Sequence, residues 1–303
     1  MSGVIVRESV APEWVVVSEG RQSRPLTGDT PGPGCPFCPG AETEVGGEPF
    51  SAAVFANRFP PFTGHGCAEV VVYSPNHFDD LAYLSAAHAD LIWEVWTERT
   101  ASLARRADVA QVFVFENRGR RVGASIAHPH GQIYGYPEVS PRLQRERAVF
   151  SAGCPVCADG SADRTVLNTA AWRLVAPPAP RMPFELWLVP RRHQPGLGGL
   201  SVGERREGAT LMQAVLRAYD ERFGHRAALV LALYQDIAPE AAAYHWRLDF
   251  LPWERGGGRH KYLAGSELAM DAFLTDVAPE TTVAQLSGLV RRQWERRGGG
   301  PYA

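Results

Sequence analysis

Apolar and polar positions alternate along the chain in an order that occurs twice. In residues 86–106 and 202–223 apolar residues return at every third or fourth position, which predicts an amphipathic α-helix in each. Short segments rich in β-branched and aromatic residues flank both helices and predict β-strands. These segments are 14–18, 69–73 and 109–115 in the first half of the chain and 172–176, 186–189, 227–234 and 245–251 in the second. The repeated order predicts two related halves.

The composition supports two halves of ordinary domain size. The chain has 303 residues, of which 45% are hydrophobic, and this supplies enough apolar surface for two cores. We expect one half at residues 1–145 and the other at 146–303, with the seam near the polar segment 138–153.

The charge balance excludes some partners. The 31 basic and 33 acidic residues nearly cancel, so no overall field favours nucleic acid or an anionic membrane. The N-terminus lacks a basic and apolar leader, and no apolar segment approaches the roughly 20 residues of a spanning helix. We therefore expect a cytoplasmic protein that binds neither nucleic acid nor membrane.

Cysteines and histidines repeat with nearly the same spacing in both halves. Each set has a Cys-x-x-Cys pair and two histidines, which favours a metal over a disulfide in a reducing compartment. Two cysteines and two histidines complete a tetrahedral zinc shell with no open position, which is typical of a structural site. In the second set the metal could be iron instead, and His245 could serve a buried hydrogen bond. The predicted ligands are Cys35, Cys38, His77 and His128 in the first half and Cys154, Cys157, His193 and His245 in the second.

The segment 116–132 has the glycines and hydrogen-bond donors that a phosphate-binding loop needs. Within it, His130 lies two residues after the predicted ligand His128, so both rings project to the same side of an extended backbone. A neutral imidazole is a competent nucleophile toward phosphorus, and we predict this role for His130. Gln132 offers an amide donor to a phosphoryl oxygen. The alternative is that His130 is a core histidine.

Five motifs give the chain a family resemblance. They are Cys-Pro-Phe-Cys at 35–38, Val-Val-Tyr-Ser-Pro-Asn-His at 71–77, Glu-Asn-Arg-Gly at 116–119, His-Pro-His-Gly-Gln at 128–132 and Lys-Tyr-Leu-Ala-Gly-Ser-Glu at 261–267. In this order they resemble the galactose-1-phosphate uridylyltransferase family of the histidine-triad superfamily. The resemblance implies an α+β fold of two tandem histidine-triad-like halves. Each would be an antiparallel β-sheet with flanking helices, and the second would be catalytically degenerate.

The resemblance also implies a ping-pong reaction. His130 would attack the α-phosphorus of a UDP-sugar, release the sugar 1-phosphate, and hold the uridylyl group until a second sugar 1-phosphate accepts it. Gln132 and Ser125 would bind phosphoryl oxygens, and the protein would be a homodimer. The implied substrate-binding residues are Asn117 and Gly123 for phosphate and ribose, Arg21, Arg24 and Asn57 for the nucleotide, and Lys261, Gly265 and Glu267 for the hexose 1-phosphate.

Some positions depart from the family pattern. Arg58 stands where members commonly have an acid that contacts the ribose, and Ser266 stands where a larger aromatic residue often lies against the sugar. Some members hold a second metal with a glutamate and several histidines, but here only the glutamate, Glu146, is kept. Tyr234, Arg247 and Asp249 occupy the other positions. Arginine cannot be deprotonated in practice, so Arg247 cannot act as a nucleophile.

Three other functions compete with the transferase. A nucleotide-sugar or dinucleoside-polyphosphate phosphorylase would use the same histidine with inorganic phosphate as acceptor. A hydrolase is disfavoured because triad hydrolases usually have a further histidine where this chain has Gln132. A two-zinc nucleic-acid module is disfavoured because the chain has no basic stripe.

Overall fold

The computed structural model describes residues 2–7, 13–23, 34–40, 42–62, 64–159 and 162–302. A nine-stranded antiparallel sheet dominates, and the long helices pack together against it. Its strands are β3 (Ala53–Ala56), β4 (Cys67–Val72), β5 (Gln111–Arg118), β6 (His130–Tyr136), β7 (Thr165–Asn168), β8 (Trp172–Val175), β9 (Leu186–Pro190), β10 (Leu229–Tyr234) and β11 (Arg247–Pro252). The helices are α1 (Ala86–Ala104), α2 (Pro141–Ser151), α3 (Pro155–Ala158), α4 (Val202–Phe223), α5 (Gly265–Met270) and α6 (Pro279–Arg296). Two small hairpins, β1 (Ser2–Arg7) with β2 (Trp14–Ser18) and β12 (Glu254–Gly256) with β13 (Arg259–His260), lie outside the large sheet.

The strand order repeats from the two edges of the large sheet inward. One side runs β3, β4, β6, β5 and the other runs β8, β9, β11, β10, with β7 added at its edge. Helix α1 joins β4 to β5, and α4 joins β9 to β10. The two sheets expected from the sequence are joined into one, because β5 pairs antiparallel with β10. This pairing removes two open strand edges from the middle of the molecule.

A tryptophan cluster ties the two sides into one core. The ring centroid of Trp93 on α1 lies 5.6 Å from that of Trp172, and the centroid of Trp172 lies 5.6 Å from that of Trp246. All three side chains are fully buried. Their edge-to-face packing stabilises the contact beyond simple area burial, by about 0.5–1.5 kcal/mol per pair. The core therefore crosses the boundary between the halves.

Helix α4 has clear start and stop signals in the sequence. Ser201 accepts a hydrogen bond from the backbone N–H of Glu204, and the Glu204 side chain accepts one from the backbone of Ser201, forming a capping box. Gly224 ends the helix in a left-handed conformation, with φ 78°. The helix covers the predicted segment 202–223. None of the described helices combines the length and apolar composition that a membrane span requires.

Some elements differ from the predicted pattern. The predicted strand 14–18 forms as β2, but it pairs with β1 in a separate hairpin, and β3, which the sequence did not predict, pairs with β4. The polar segment predicted as a seam contains α2, whose Ser140 N-cap and Pro141 were visible start signals.

Candidate active site and metal clusters

The first cysteine and histidine set converges at one buried point. Sγ of Cys38 lies 3.5 Å from Nδ1 of His77 and 3.6 Å from Nδ1 of His128, and Sγ of Cys35 lies 3.7 Å from Nδ1 of His128. The four ligand atoms lie within 4.8 Å of one another. In a tetrahedral zinc site the sulfur and nitrogen ligands are about 3.5 Å apart, so the cluster has the size that a single zinc ion requires.

The protonation chemistry of this cluster also suits a metal. Nε2–H of His128 donates to the carbonyl oxygen of Ser74 at 2.7 Å, which turns Nδ1 toward the cysteines. Burial lowers the pKa of His128, which favours the neutral imidazole that a metal binds. Burial, together with the neighbouring Cys38, raises the pKa of the Cys35 thiol to about 11. A bound cation would offset this cost by stabilising the thiolate.

The second set also converges, but nearer the surface. Sγ of Cys157 lies 3.3 Å from Nδ1 of both His193 and His245, and Sγ of Cys154 lies 3.6 Å from Nδ1 of His245. Nε2–H of His245 donates to the carbonyl oxygen of Pro190 at 2.9 Å. Cys157 and His193 are exposed, whereas all four residues of the first set are buried. Both sets therefore form clusters that could hold a metal ion.

His130 is the first residue of β6 and is buried. Its Nδ1 lies 2.8 Å from the carbonyl oxygen of His128, and because a carbonyl only accepts hydrogen bonds, Nδ1 carries the proton. In the neutral ring the lone pair is then on Nε2. The ring of Phe37, between the two cysteines of the first cluster, packs edge-on against the imidazole with centroids 5.0 Å apart. The first cysteine and histidine cluster thus contacts His130 through Phe37 as well as through His128.

Gln132 lies beside His130 on a shared cavity wall. Tyr134 donates its hydroxyl proton to Oε1 of Gln132 at 3.0 Å, which fixes the amide orientation and leaves the amide N–H groups as donors for a ligand. The cavity measures about 80 Å³. It offers apolar walls with polar groups among them, as ligand pockets commonly do. Its lining residues include Phe37, Phe55, Asn57, Arg58, Val70, Ile126, His130 and Gln132.

A second cavity of about 230 Å³ also reaches His130, along residues 116–130. Asn117 lines it, and Gly123 lies close by, since a Cβ added there would be 3.8 Å from the Asn117 amide nitrogen. Gly123 has φ 92°, a conformation that side chains disfavour. The Ser125 hydroxyl is buried and makes no hydrogen bond within the described residues. The structure therefore brings Asn117 and Gly123 together beside the cavity at His130.

The packing behind His130 requires glycine at position 131. A Cβ at this position would lie 2.1 Å from the hydroxyl oxygen of Tyr73, which is fully buried against this strand. The glycine between His130 and Gln132 thus lets β6 approach Tyr73.

The predicted nucleotide residues are partly assembled. Asn57 lines the smaller cavity, and its Oδ1 accepts a hydrogen bond from the backbone of Phe59. Arg21 donates to the carbonyl of Phe59 at 2.7 Å, which holds it beside the same loop. Arg58 lines the cavity together with Glu44, 3.3 Å away. Sequence reasoning missed Glu44, which no motif marks. The predicted residue Arg24 lies outside the described residues.

The predicted sugar-phosphate residues form a group of their own. Lys261 and Glu267 make a buried ion pair, and Gly265 begins α5 beside them. Glu267 also accepts a hydrogen bond from the backbone of Ala264 at 3.1 Å. In the described chain this group lines neither of the two cavities at His130.

In the second half the residue equivalent to His130 is Arg247, which lies among other charged side chains. Arg247 is buried and donates to Glu146 at 2.8 Å, with its Nε 3.0 Å from a carboxylate oxygen of Asp249. Its guanidinium lies 4.5 Å from the ring centroid of Tyr234. Burial alone would raise the pKa of Glu146, yet Arg247 and Arg142 outweigh it and hold that pKa at about 2. None of these side chains is an imidazole, and Arg247 itself cannot attack phosphorus because its guanidinium stays protonated.

Comparison with known proteins relates the chain to one enzyme family. The family described as Galactose-1-phosphate uridyl transferase, N-terminal domain, matches residues 48–140. A galactose-1-phosphate uridylyltransferase of Thermotoga maritima is 30% identical over 309 residues, which cover 90% of this chain and 94% of the relative. An ADP-glucose phosphorylase of Arabidopsis thaliana is 24% identical over 319 residues, covering 90% of this chain and 89% of the relative. A solved uridylyltransferase structure matches with a TM-score of 0.85 and 26% identity, over 95% of this chain and 98% of that chain.

The antiparallel sheet and the His-Pro-His-Gly-Gln strand at a cavity place the protein in the histidine-triad class. Within that class, the chain belongs to the galactose-1-phosphate uridylyltransferase family.

Proposed function

We propose that this protein is a nucleotidyltransferase that moves UMP from a UDP-sugar to a sugar 1-phosphate through a uridylyl-His130 intermediate. One observation carries the proposal. The hydrogen bond from Nδ1 of His130 to the His128 carbonyl, at 2.8 Å, puts the lone pair on Nε2 of a ring that lines two cavities. The family membership supports the same chemistry.

The reaction balances with the groups present. Nε2 of His130 forms a bond to the α-phosphorus of the donor while the bond from that phosphorus to the bridging oxygen breaks. The bridging oxygen leaves with the first sugar 1-phosphate. The substituted ring is then positively charged at Nδ1–H, and the His128 carbonyl, which accepts that hydrogen bond, stabilises the charge. A phosphate oxygen of the second sugar 1-phosphate next bonds the phosphorus, the N–P bond breaks, and the neutral ring returns.

The remaining predicted residues bind and orient substrate in this proposal. The amide of Gln132 donates to a phosphoryl oxygen whose charge grows in the transition state. The buried hydroxyl of Ser125 donates to another phosphoryl oxygen. Asn117 and Gly123 accommodate phosphate and ribose, and Arg21 and Asn57 orient the nucleotide, with Arg24 as a further predicted contact.

We also propose that both cysteine and histidine clusters hold zinc. Bound zinc would supply a closed tetrahedral anchor, and the residues of the chain would do the chemistry. The first cluster holds the His128 carbonyl and Phe37 against His130. Metal analysis of the purified protein should give two zinc ions per chain, and Cys38→Ser should remove one.

We further propose a homodimer in the cytoplasm. Lys261, Gly265 and Glu267 lie apart from the cavities at His130 of their own chain, so a second copy would bring them to that site. Four apolar side chains next to this group are exposed and would be covered in the dimer: Tyr262, Leu268, Met270 and Leu274. Residues 1–145 would carry the nucleophile, and residues 146–303 the sugar-phosphate segment.

The intermediate provides the test. Incubation with UDP-glucose alone should add the mass of one uridylyl group per chain, located on His130 by peptide mapping. His130→Ala should show no adduct, whereas His65→Ala, which changes an exposed histidine, should form it normally. A protein that turns over UDP-glucose without ever carrying the adduct would contradict the proposal.

A phosphorylase is the second candidate. The ADP-glucose phosphorylase relative covers nearly the whole chain, and Arg58 changes the polar lining of the nucleotide cavity. Adding inorganic phosphate, or a hexose 1-phosphate, to the preformed adduct separates the two functions. Faster release of the nucleotide by inorganic phosphate would favour the phosphorylase.

A further inference from the structure

We infer that the second half carries a second nucleotide-binding pocket, which holds a nucleoside phosphate without reacting with it. The inference rests on the proposed function for its ligand class, because this pocket is the structural counterpart of the cavity in which His130 would bind a nucleotide.

The strand registers establish the correspondence. In the first half Phe55 pairs with Val70, and Val70 pairs with Gln132. In the second half Val175 pairs with Trp187, and Trp187 pairs with Asp249. The Cys-Pro-x-Cys motifs add a further match, since Phe37 and Val156 occupy the same position in each. Three lining positions of the first cavity, Phe37, Phe55 and His130, thus correspond to Val156, Val175 and Arg247 of the second.

The second pocket is the more spacious one. Its volume is about 230 Å³, against about 80 Å³ for its counterpart. Val156 and Val175 replace Phe37 and Phe55, whose rings narrow the first cavity. The aromatic ring of Trp187 lines one wall, and the Arg247 guanidinium stacks on it, 4.7 Å from the centroid. Further walls come from the apolar side chains of Phe150 and Val189, so a flat base has apolar surfaces to pack against.

The charges around the pocket favour an anion. Arg142, Arg173 and Arg247 line it against two acids, Glu146 and Asp159. Glu146 is engaged by Arg142 and Arg247, each at 2.8 Å, and Asp159 is engaged by Arg164 at 2.6 Å.

Arg173 supplies the positive charge for a ligand. It donates to the carbonyl oxygens of Asp159 and Val156, at 2.7 and 2.9 Å, and carbonyl groups have no formal charge to neutralise it. Its guanidinium can therefore attract a phosphate, which arginine binds through parallel N–H donors. Arg247 lies where the nucleophile would be and has no lone pair to offer phosphorus. A bound nucleotide would therefore dissociate without having reacted.

The experiment is a calorimetric titration of the full-length protein with UMP, which cannot donate a uridylyl group to His130. We expect two UMP molecules per chain at saturation. The double variant Val156→Phe with Val175→Phe, called the filled variant, introduces the phenylalanines of the first half into the second pocket. It should bind only one UMP molecule per chain. Arg173→Gln, a milder change near the surface, should weaken the second binding step at least tenfold. Val70→Trp should remove the first step and keep the second.

The outcomes separate this inference from the proposed function. One UMP per chain in the unaltered protein, or two in the filled variant, would overturn the second pocket. If the filled variant does not fold, an unchanged second step in Arg173→Gln would do the same. Two binding steps without a uridylyl adduct would contradict the proposed function alone. An adduct with a single binding step would contradict the second pocket alone.

Discussion

The two sides of the large sheet share strand order, helix placement and a cysteine and histidine cluster, yet differ where β6 and β11 reach their cavities. On β6 the strand presents His130 and Gln132, whereas β11 presents Arg247 and Asp249 at the same positions. The backbone scaffold is the same, and the reactive side chains are exchanged. Position in a fold therefore does not by itself confer chemistry; the side chain decides it.

Two buried glutamates show the same contrast in electrostatics. Burial and the nearby Asp80 raise the pKa of Glu116, beside the His130 cavity, to about 8. Burial would raise the pKa of Glu146 as well, but Arg247 and Arg142 hold it at about 2. The buried carboxyl of Glu116 therefore keeps its proton at neutral pH, whereas the buried carboxyl of Glu146 is ionised.

The largest difference should appear on removing the two equivalent side chains. His130→Ala deletes the nucleophile and should lower turnover by about 10⁴-fold or more without unfolding the protein. Assays of sugar exchange with UDP-glucose and a hexose 1-phosphate measure it. A variant that kept more than about a hundredth of the activity would show that another group carries the uridylyl transfer.

Arg247→Met should act on stability instead. It removes the nearest cation of Asp249 and leaves Glu146 with Arg142 alone, so the free energy of unfolding should fall by up to about 3–5 kcal/mol. Urea denaturation provides the measurement. Arg192→Met is a matched control, because the Arg192–Glu204 pair is partly exposed, and it should cost less than about 1 kcal/mol. Equal losses in the two variants would mean that the buried network contributes little.

Gly131→Ala should have an intermediate effect that is specific to the first half. Its Cβ would lie 2.1 Å from the Tyr73 hydroxyl, and such overpacking costs about 1–3 kcal/mol. In the second half the equivalent residue is Leu248, whose side chain is accommodated in the core. Urea denaturation should show a lower free energy of unfolding, and the uridylyl adduct should form more slowly. Adding Tyr73→Phe removes the clashing hydroxyl and should recover part of the lost stability. If no stability is recovered, the Tyr73 hydroxyl is not the source of the clash.

Glu116→Gln should act on the pH dependence of stability. Because the folded-state pKa of Glu116 is raised to about 8, folded protein holds this proton where the unfolded chain has released it. Its contribution to stability is complete below the unfolded pKa and is lost as pH rises through about 8. Glutamine stays neutral, so the stability of the variant relative to the parent should increase as the pH rises from about 5 to about 8. Urea denaturation of both proteins at the two pH values measures this. The same stability difference between variant and parent at both pH values would contradict the raised pKa.

The sequence predicted local elements best where the local signals were strong. Helix α4 matches its predicted segment, and α1 ends two residues early. Strand β6 was missed because its histidine and glycines lack the β-branched pattern. It forms because its neighbours β4 and β5 pair with it from both sides. Segment 14–18 forms a strand, but local composition could not say which sheet it would join.

Residue types and spacing by themselves determined the chemistry available to this protein: two sets of soft ligands, and a further histidine two residues after only one of them. Only the tertiary structure decided how that chemistry is arranged. Packing of the segment around Cys35 and Phe37 against β4 brings Cys35 to His128 and Phe37 to His130 across long stretches of chain. The fold also leaves Lys261 away from the two cavities at His130. Such contacts depend on strand register and burial, which no local sequence pattern encodes.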